Sequence, residues 1–235
     1  MLCGQNGAVL IIGDSKLMRY VFAFIAVFIL AGCSTTPIAL PVENLAASAK
    51  TPVEDLRPAA ESTREIFSLM ITSDQYGYVR MAQDISDPTG ARLFSHRLQE
   101  KFGAAAVPPT KLHHFAVYMN NRSELRKVAL GAAFGGVIGA TIMNSSVVRE
   151  GDVVHTLVSA DEFNAMSGQN EYQRAIYTES ELKPGTSAIV IFIESESEGQ
   201  RRFTRTVSPI KPAQPGERIP LHQAMEAAIQ FHLKS

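Results

Sequence analysis

The stretch A-I-V-I-F-I-E-S-E-S-E-G-Q-R-R-F-T-R-T-V, Ala188 to Val207, determines the fold expected for this 235-residue chain. Its first six residues, Ala188 to Ile193, are all apolar, which is typical of a strand buried on both sides at the centre of a sheet. A polar turn follows at Glu198 to Gln200, and Arg202 to Val207 returns as a second strand. The stretch therefore predicts an antiparallel hairpin at the centre of the fold.

The acidic run E-S-E-S-E before the turn carries three glutamates on one face of the first strand. If Gly199 and Gln200 are the two turn residues, Glu198 faces Arg201 and Glu194 faces Arg205 across the hairpin. Such opposite charges favour that register by a few tenths of a kcal/mol per pair. We therefore expect a solvated hairpin end rather than a cation site.

Further elements extend outward from this hairpin on both sides in the sequence. Alternating apolar residues predict strands, and apolar residues three and four apart predict amphipathic helices. The predicted elements are a strand in I-F-S-L-M-I-T-S at 66–73, its extension or hairpin partner at 76–82, a helix from Asp87 to Gly103, a strand in K-L-H-H-F-A-V-Y-M-N at 111–120, a hairpin turning at 150–152, a short helix from the capping box Ser159 to Glu162, and a helix from Leu221 to Leu233.

The helix that follows the second strand has clear end signals. Asp87 is suited to the N-cap, Pro88 to the first helical position and Gly103 to the C-terminal end. On the next predicted strand, His113 and His114 are adjacent and are expected to point to opposite faces of the sheet.

The order strand, helix, strand, insertion, strands and helix predicts an α+β fold. We expect a two-layer α/β sandwich, with a mostly antiparallel sheet and helices on one face. This domain is assigned to residues 63–235. The preceding residues 33–62 contain four prolines among small and polar residues, a composition that predicts a flexible tether.

An apolar insertion interrupts the domain at V-A-L-G-A-A-F-G-G-V-I-G-A-T-I-M, residues 128–143. Gly131, Gly135 and Gly139 recur every four residues and, with Gly136, form a glycine-zipper helix face that allows close backbone approach. As a helix, the insertion measures about 24 Å, short of a hydrocarbon core of about 30 Å. Three alternatives remain open. The insertion enters or lies on a membrane, with or without self-association through the glycine face; it packs as a buried helix against its own sheet; or it is a flexible loop or an element that depends on a partner.

The N-terminus combines Lys16 and Arg19 with the ten-residue apolar run Val21 to Leu30, which is typical of a signal peptide. Leu30-Ala31-Gly32-Cys33 follows at once and resembles the lipobox of bacterial lipoproteins. The resemblance implies that residues 1–32 are removed, and that Cys33 carries a diacylglycerol and an N-acyl chain as its only prosthetic groups. A start at Met18 would give a more compact precursor.

Further resemblances suggest a location. In lipoproteins an Asp after the acylated cysteine tends to retain the protein at the inner membrane, and Ser34 stands at that position here. This implies the periplasmic face of the outer membrane. The domain also resembles the small periplasmic domains of YajG-like and LptE-like outer-membrane lipoproteins, and D-I-S-D-P-T-G-A-R-L is similar to a strand-to-helix segment of curli-secretion-type lipoproteins.

Composition and motifs exclude several functional classes. A net charge of −1 argues against nucleic acid as a partner. Apart from Cys33, the only cysteine is Cys3 in the leader, so we expect no internal disulfide. None of the six histidines has the spacing of a metal site, and no catalytic motif is present.

We therefore expect a non-enzymatic structural, assembly or accessory component of a cell-envelope complex. Its partners would be membrane lipid, through Cys33, and an envelope protein or further copies of itself. The alternative is a lipid-tethered periplasmic module that binds a ligand or acts as an enzyme.

Overall fold

In a computed structural model of the chain, the apolar run at 188–193 lies in the central strand of a mixed β-sheet. The structure describes residues 37–45, 53–71, 74–120, 146–177, 180–183, 185–213 and 215–234. Cys33 and the glycine-rich stretch 128–143 lie outside these residues.

Ten strands and four α-helices are present in the described residues. The strands are β1 (Ile38–Ala39), β2 (Val53–Asp55), β3 (Glu65–Ile71), β4 (Asp74–Arg80), β5 (Ser86–Asp87), β6 (Thr110–Asn120), β7 (Ser146–Glu150), β8 (Val153–Leu157), β9 (Ala188–Ser197) and β10 (Gln200–Pro209). The helices are α1 (Gly90–Phe102), α2 (Ala160–Ala165), α3 (Tyr172–Ala175) and α4 (Pro220–Leu233).

The main sheet has the strand order β3-β4-β6-β9-β10-β8-β7, and β2 pairs with β6 outside this path. All neighbours are antiparallel except β2 and β6, which are parallel. The predicted α+β class and the mostly antiparallel sheet are therefore confirmed. Of the two alternatives for residues 76–82, the structure shows the hairpin partner. The predicted hairpin turning at 150–152 and the capping box of Ser159 and Glu162 are also present.

The central strand β9 is apolar on both sides. Ile189, Ile191 and Ile193 pack into one hydrophobic cluster, whereas Val190 and Phe192 pack into another on the opposite face of the sheet. Each of these side chains is at most 4% exposed. A strand of this kind needs cover on both faces, because burying apolar surface is what stabilises it.

One face of the sheet, the helix face, is covered by the two long helices α1 and α4. Phe94 of α1 and Met225 and Ile229 of α4 join the isoleucines of β9 in one cluster. The first turn of α1 approaches β6 closely, because a Cβ added to Gly90 would collide with the ring of Phe115. The predicted placement of long helices on one face is confirmed.

The opposite face, the charged face, is covered by residues 158–177 and 180–182, which include α2 and α3. Phe163, Ile176 and Tyr177 from this region pack against Phe192 of β9. The short helices therefore add a partial third layer that the prediction of a two-layer sandwich lacks. The reason is the continuous apolar run itself, which leaves neither face of β9 free for solvent.

The start of α1 differs from its prediction. Its N-cap is Thr89, whose side chain accepts a hydrogen bond from the backbone N–H of Arg92. Asp87 instead belongs to β5, where it pairs with Ala39 of β1, so it is unavailable as a cap. The predicted C-terminal residue Gly103 is confirmed as the C-cap, with φ at 76°.

The segment predicted as a flexible tether, 33–62, is partly built into the fold. In the described residues, β1 pairs with β5, and Leu40 is 3% exposed. Strand β2 pairs with the start of β6, and Glu61 is 4% exposed. Within the ranges 37–45 and 53–62, backbone pairing and two buried side chains therefore tie parts of the predicted tether to the domain.

The central hairpin has a different register from the predicted one. Ser197 pairs with Gln200, so the two turn residues are Glu198 and Gly199, with φ of 52° and 78°. Both angles are positive, as in the two-residue turns that suit the twist of a hairpin. As a result Glu194 lies opposite Phe203 rather than the predicted Arg205.

Candidate functional site

The sequence-predicted site residues Cys33, Gly131, Gly135, Gly136 and Gly139 all lie outside the described residues. Lipidation and close packing at the glycines therefore stay predictions. Within the described part, two other regions concentrate polar groups: a cleft at the ends of the long helices, and a network of ion pairs on the charged face.

The cleft lies where the C-terminal ends of α1 and α4 meet the β9–β10 turn, and its volume is about 440 Å³. This volume is within the usual range of small-molecule sites, about 300–1,000 Å³. The lining contains both apolar and basic side chains. The apolar ones are Phe94, Leu98, Phe102 and Leu233, and the basic ones are Lys101, Arg201 and Arg202.

Two hydroxyls and an imidazole form a chain at the buried side of the cleft. Ser195 Oγ lies 2.7 Å from His232 Nε2, and Thr204 Oγ1 lies 2.7 Å from His232 Nδ1. Burial, assisted by the charge of Arg202, lowers the pKa of His232 to about 3. The ring is therefore neutral at physiological pH, with one nitrogen donating and the other accepting.

A serine hydrogen-bonded to a histidine is also the starting arrangement for nucleophilic catalysis. Here, however, the third group is the hydroxyl of Thr204 rather than a carboxylate that could stabilise an imidazolium. A histidine pKa of about 3 also makes His232 a weak base at neutral pH. The chain is therefore better suited to tying β9 and β10 to α4 than to activating Ser195.

Cations beside the cleft cap the C-terminal carbonyls of α4. Arg202 donates to the carbonyl oxygens of Phe231 at 3.3 Å and Lys234 at 2.7 Å, and Lys101 donates to that of Leu233. These contacts satisfy carbonyls that have no partner inside the helix. Burial lowers the pKa of Arg202, and within the described ranges no carboxylate lies at ion-pair distance from it.

On the charged face, His114 lies between two buried carboxylates. Its Nδ1 contacts Glu61 Oε1, and its Nε2 lies 3.6 Å from Glu194 Oε2. Glu61 also accepts a hydrogen bond of 3.0 Å from the backbone N–H of Phe115, and Arg201 Nη1 lies 3.0 Å from Glu194 Oε1. Glu194 is 4% exposed, so the prediction of a wholly solvated acidic run is wrong at this residue.

The two adjacent histidines lie on the same face of the sheet, contrary to prediction. The pairing of β6 with β9 shifts between Leu112 and His114, which leaves His113 as an extra residue in a bulge. His113 Nε2 then lies 3.2 Å from Glu196 Oε2, on the side that His114 also faces. The bulge breaks the alternation on which the prediction rested.

The rest of the charged face holds buried arginines, each with an acidic partner. Arg80 contacts Glu65 and Glu171, both at 2.5 Å, and Tyr118 donates to Glu171 at 2.7 Å. Although burial opposes it, hydrogen bonds from Tyr118 and Arg80 hold the pKa of Glu171 below its usual value. These contacts join β4 and β6 to the residues that cover them.

The described residues contain neither a cluster of metal ligands nor a helix that could span a membrane. No three His, Cys, Asp or Glu side chains in these ranges are grouped so that they could hold a metal ion. No helix in the part of the chain that the structure describes combines the length and the apolarity needed to cross a membrane.

Comparison with known proteins gives no match: no family model, no curated protein and no solved structure is significantly similar to the chain. The cleft and the ion pairs were not predicted from the sequence. One signal was available, because His232 falls three residues after Ile229 on the apolar face of α4, which places it in the core.

Proposed function

We propose that this chain is an outer-membrane lipoprotein that serves as a non-enzymatic structural, assembly or accessory component of a cell-envelope complex. The observation that carries the proposal is the sequence Leu30-Ala31-Gly32-Cys33 directly after the apolar run Val21 to Leu30. Small residues before a cysteine allow a peptidase access, and the thiol is a strong nucleophile for acylation.

The fold begins soon after the proposed anchor in the sequence. Only Ser34 to Thr36 separate Cys33 from Pro37, the residue before β1. The proposed mature protein would therefore consist of an acylated cysteine, a very short connection and the folded domain.

Lipidation is tested by replacing each cysteine in turn. We expect Cys33→Ala to abolish metabolic labelling with radioactive palmitate and to shift the protein from the membrane to the soluble fraction. Cys3→Ala is the matched control and should leave both labelling and fractionation unchanged. Continued labelling of Cys33→Ala, or loss of labelling in Cys3→Ala, would exclude Cys33 as the acylated residue.

A substitution at Ser34 tests whether the protein is sorted to the outer or the inner membrane. If Ser34 permits transport to the outer membrane, Ser34→Asp should keep the acylated protein in the inner membrane on a sucrose gradient. Ser34→Asn, which has a similar shape without the charge, should remain in the outer membrane. Equal distribution of both variants would contradict the outer-membrane assignment while leaving lipidation intact.

We propose that the partner is an envelope protein or a second copy, contacted through the glycine stretch. Gly135→Leu should then reduce the size of crosslinked complexes, whereas Phe134→Leu, beside the glycine row, should not. In vivo crosslinking of the intact protein, followed by mass spectrometry, would identify the partner. A fall in stability with unchanged complexes would show instead that the stretch packs within its own domain.

The cleft favours a second candidate function, a lipid-tethered module that binds a small ligand. Its volume of about 440 Å³ and its mixed apolar and basic lining fit a ligand site. A rise in the melting temperature of the purified protein with a ligand would support this function, and the lining determines which ligands to try first.

A further inference from the structure

We propose that the cleft binds an amphiphile with one acyl chain and one anionic headgroup, either a carboxylate or a phosphate. This inference specifies the ligand of the second candidate function and rests on it. It does not require acylation of Cys33, so the two proposals can fail independently.

The apolar part of the lining fits an acyl chain. Phe94 is fully buried and Leu98 is 4% exposed, so they form a fixed apolar wall. Phe102 is 40% exposed, although it is a large aromatic residue of an otherwise well-packed helix. A chain in the cleft would remove apolar surface from water at about 25 cal/mol per Å².

The basic part of the lining fits an anion. Arg201, Arg202 and Lys101 border the cleft, and Glu198 is the single acidic residue in its lining. Arg201 already pairs with Glu194 and Glu196, so its charge attracts an anion less than that of Arg202. Arg202 is half-buried and donates to two backbone carbonyls, which are neutral groups. Among the described residues no carboxylate lies at ion-pair distance from Arg202, and a half-buried cation so placed is unfavourable. An anion beside Arg202 would therefore bind favourably and raise its pKa again.

The hydroxyl and imidazole groups of the cleft restrict which headgroups can be bound through hydrogen bonds. Ser195 is already hydrogen-bonded to His232, and Thr110 donates to the carbonyl oxygen of Pro108 at 2.9 Å. They offer few free donors for a neutral polar headgroup. Charge is therefore the main source of headgroup selectivity, and a fatty alcohol should bind less well than a fatty acid of equal length.

The experiment uses purified intact protein in a neutral detergent and a photoreactive fatty acid with a diazirine on its chain. After irradiation, mass spectrometry locates the labelled peptides. We expect label on the peptides that contain residues 94–102 and 195–202. Dodecanoate or dodecyl phosphate should compete for labelling, and the more effective of the two identifies the headgroup. Dodecanol should need a concentration roughly tenfold higher, as expected for loss of a charge-assisted contact.

A cleft-filling variant and a charge variant test the two parts of the site. Ser197 is half-exposed at the end of β9 and lines the cleft, so Ser197→Phe should fill it and abolish specific labelling. Val148→Phe is its control on an exposed strand position away from the cleft. Lys101→Ala should weaken competition by dodecanoate roughly tenfold, whereas Lys211→Ala, at an exposed lysine elsewhere, should not change it.

Circular dichroism checks that each variant is folded before it is compared. Label spread over other apolar surfaces, equal competition by dodecanol, or full labelling of folded Ser197→Phe would each overturn the proposal. Crosslinks between two copies through the same peptides, formed with a separate bifunctional reagent, would also overturn it, since a second chain would then occupy the cleft. None of these results bears on fractionation of Cys33→Ala.

Discussion

The two faces of the central sheet share strands β9 and β10 but are built on different principles. On the helix face, isoleucines of β9 pack against α1 and α4. The polar groups beside the strands there are hydroxyls and an imidazole, and a single buried glutamate among the described residues of this face, Glu226 of α4, pairs with Arg97 of α1. On the charged face, arginine and glutamate side chains lie among the aromatic residues, at exposures as low as 2% for Arg205.

The difference predicts two kinds of sensitivity. Apolar packing has no direction, so the helix face should respond to changes in volume and to protonation of its buried histidines. A buried ion pair needs both partners, because one charge left alone in the interior is very unfavourable. The charged face should therefore respond most strongly to the removal of a single charge.

The largest expected effect comes from Arg205, which contacts Glu181 and donates to the carbonyl oxygen of Ile176 at 2.6 Å. Arg205→Met leaves Glu181, itself 4% exposed, without this partner. We expect the free energy of unfolding to fall by about 3–5 kcal/mol. Urea unfolding followed by circular dichroism measures it.

Two further variants show whether the unpaired charge is the cause. Arg205→Met combined with Glu181→Leu removes both charges and should recover most of the loss. Lys211→Met breaks the exposed contact with Asp152 and should change stability little. If the double variant is no more stable than Arg205→Met, the arginine acts through packing and the contrast between the faces is wrong.

The next effect is on the helix face and depends on pH. Burial lowers the pKa of His155, His222 and His232, all of which contact this face. The unfolded chain therefore binds protons that the folded chain resists, and stability falls as the pH drops below the unfolded value. For His232, with a pKa near 6.5 unfolded and about 3 folded, the loss between pH 6.5 and 5 is about 1.6 kcal/mol.

A histidine variant separates this contribution from the carboxylates of the other face. His232→Gln should lower stability at pH 7 but make its decline between pH 6.5 and 5 shallower by up to about 1.6 kcal/mol. Glu171 has a pKa below its usual 4.5, so its contribution is lost only at lower pH. An unchanged slope in urea unfolding at pH 6.5, 5.8 and 5 would show that His232 does not resist protonation.

A smaller effect tests packing at the start of α1. Gly90→Ala places a Cβ against the ring of Phe115, and overpacking of this kind costs about 1–2 kcal/mol. The second variant Phe115→Leu should restore part of that loss, since the smaller side chain leaves room. Arg92→Ala, in the same turn but exposed, is the control and should stay within about 0.5 kcal/mol of the parent in thermal unfolding. If Gly90→Ala and Arg92→Ala have the same stability, the close approach of α1 to Phe115 does not require a glycine at position 90.

The helix face could be predicted from the sequence because apolar residues three and four apart have few interpretations. Phe94 and Leu98, like Met225 and Ile229, indicate one buried helix face each, and all four are buried. Phe102 falls on the same predicted face of α1 but is 40% exposed, so the prediction is wrong at that residue. The capping box at Ser159 could be predicted for a similar reason, because it depends on two residues that are three positions apart in the sequence. Structural features that depend only on residues close together in the chain can therefore be predicted from the sequence.

The charged face could not be predicted in this way. Arg80 lies between the apolar residues Val79 and Met81, and Arg205 lies between two threonines, so neither position is marked as buried by the sequence pattern. Their partners Glu171 and Glu181 lie in a segment far from β4 in sequence and reach the sheet only in the fold. The cleft shows the same limit, because Ser195 and His232 come from a strand and a helix that only the fold brings together.

The central hairpin shows why even a local prediction of register can fail. Pairing opposite charges favoured Gly199 and Gln200 as the turn, but each such pair contributes only a few tenths of a kcal/mol. Turn geometry is worth more, and the observed turn places Gly199 at a φ of 78°. Relative to the predicted register, the cross-strand partner of Arg205 moves by two residues, from Glu194 to Phe192. In this position Arg205 contacts Glu181.

The smallest expected effect tests that register. Glu198 has a φ of 52°, in the left-handed region, which is unfavourable for a glutamate and much less so for asparagine. Glu198→Asn creates the Asn-Gly pair preferred in two-residue turns and should raise stability by about 0.5 kcal/mol in urea unfolding. Gln200→Asn would help only if Gly199 and Gln200 formed the turn. A gain from Gln200→Asn and none from Glu198→Asn would restore the charge-paired register and remove Arg205 from its place on the charged face.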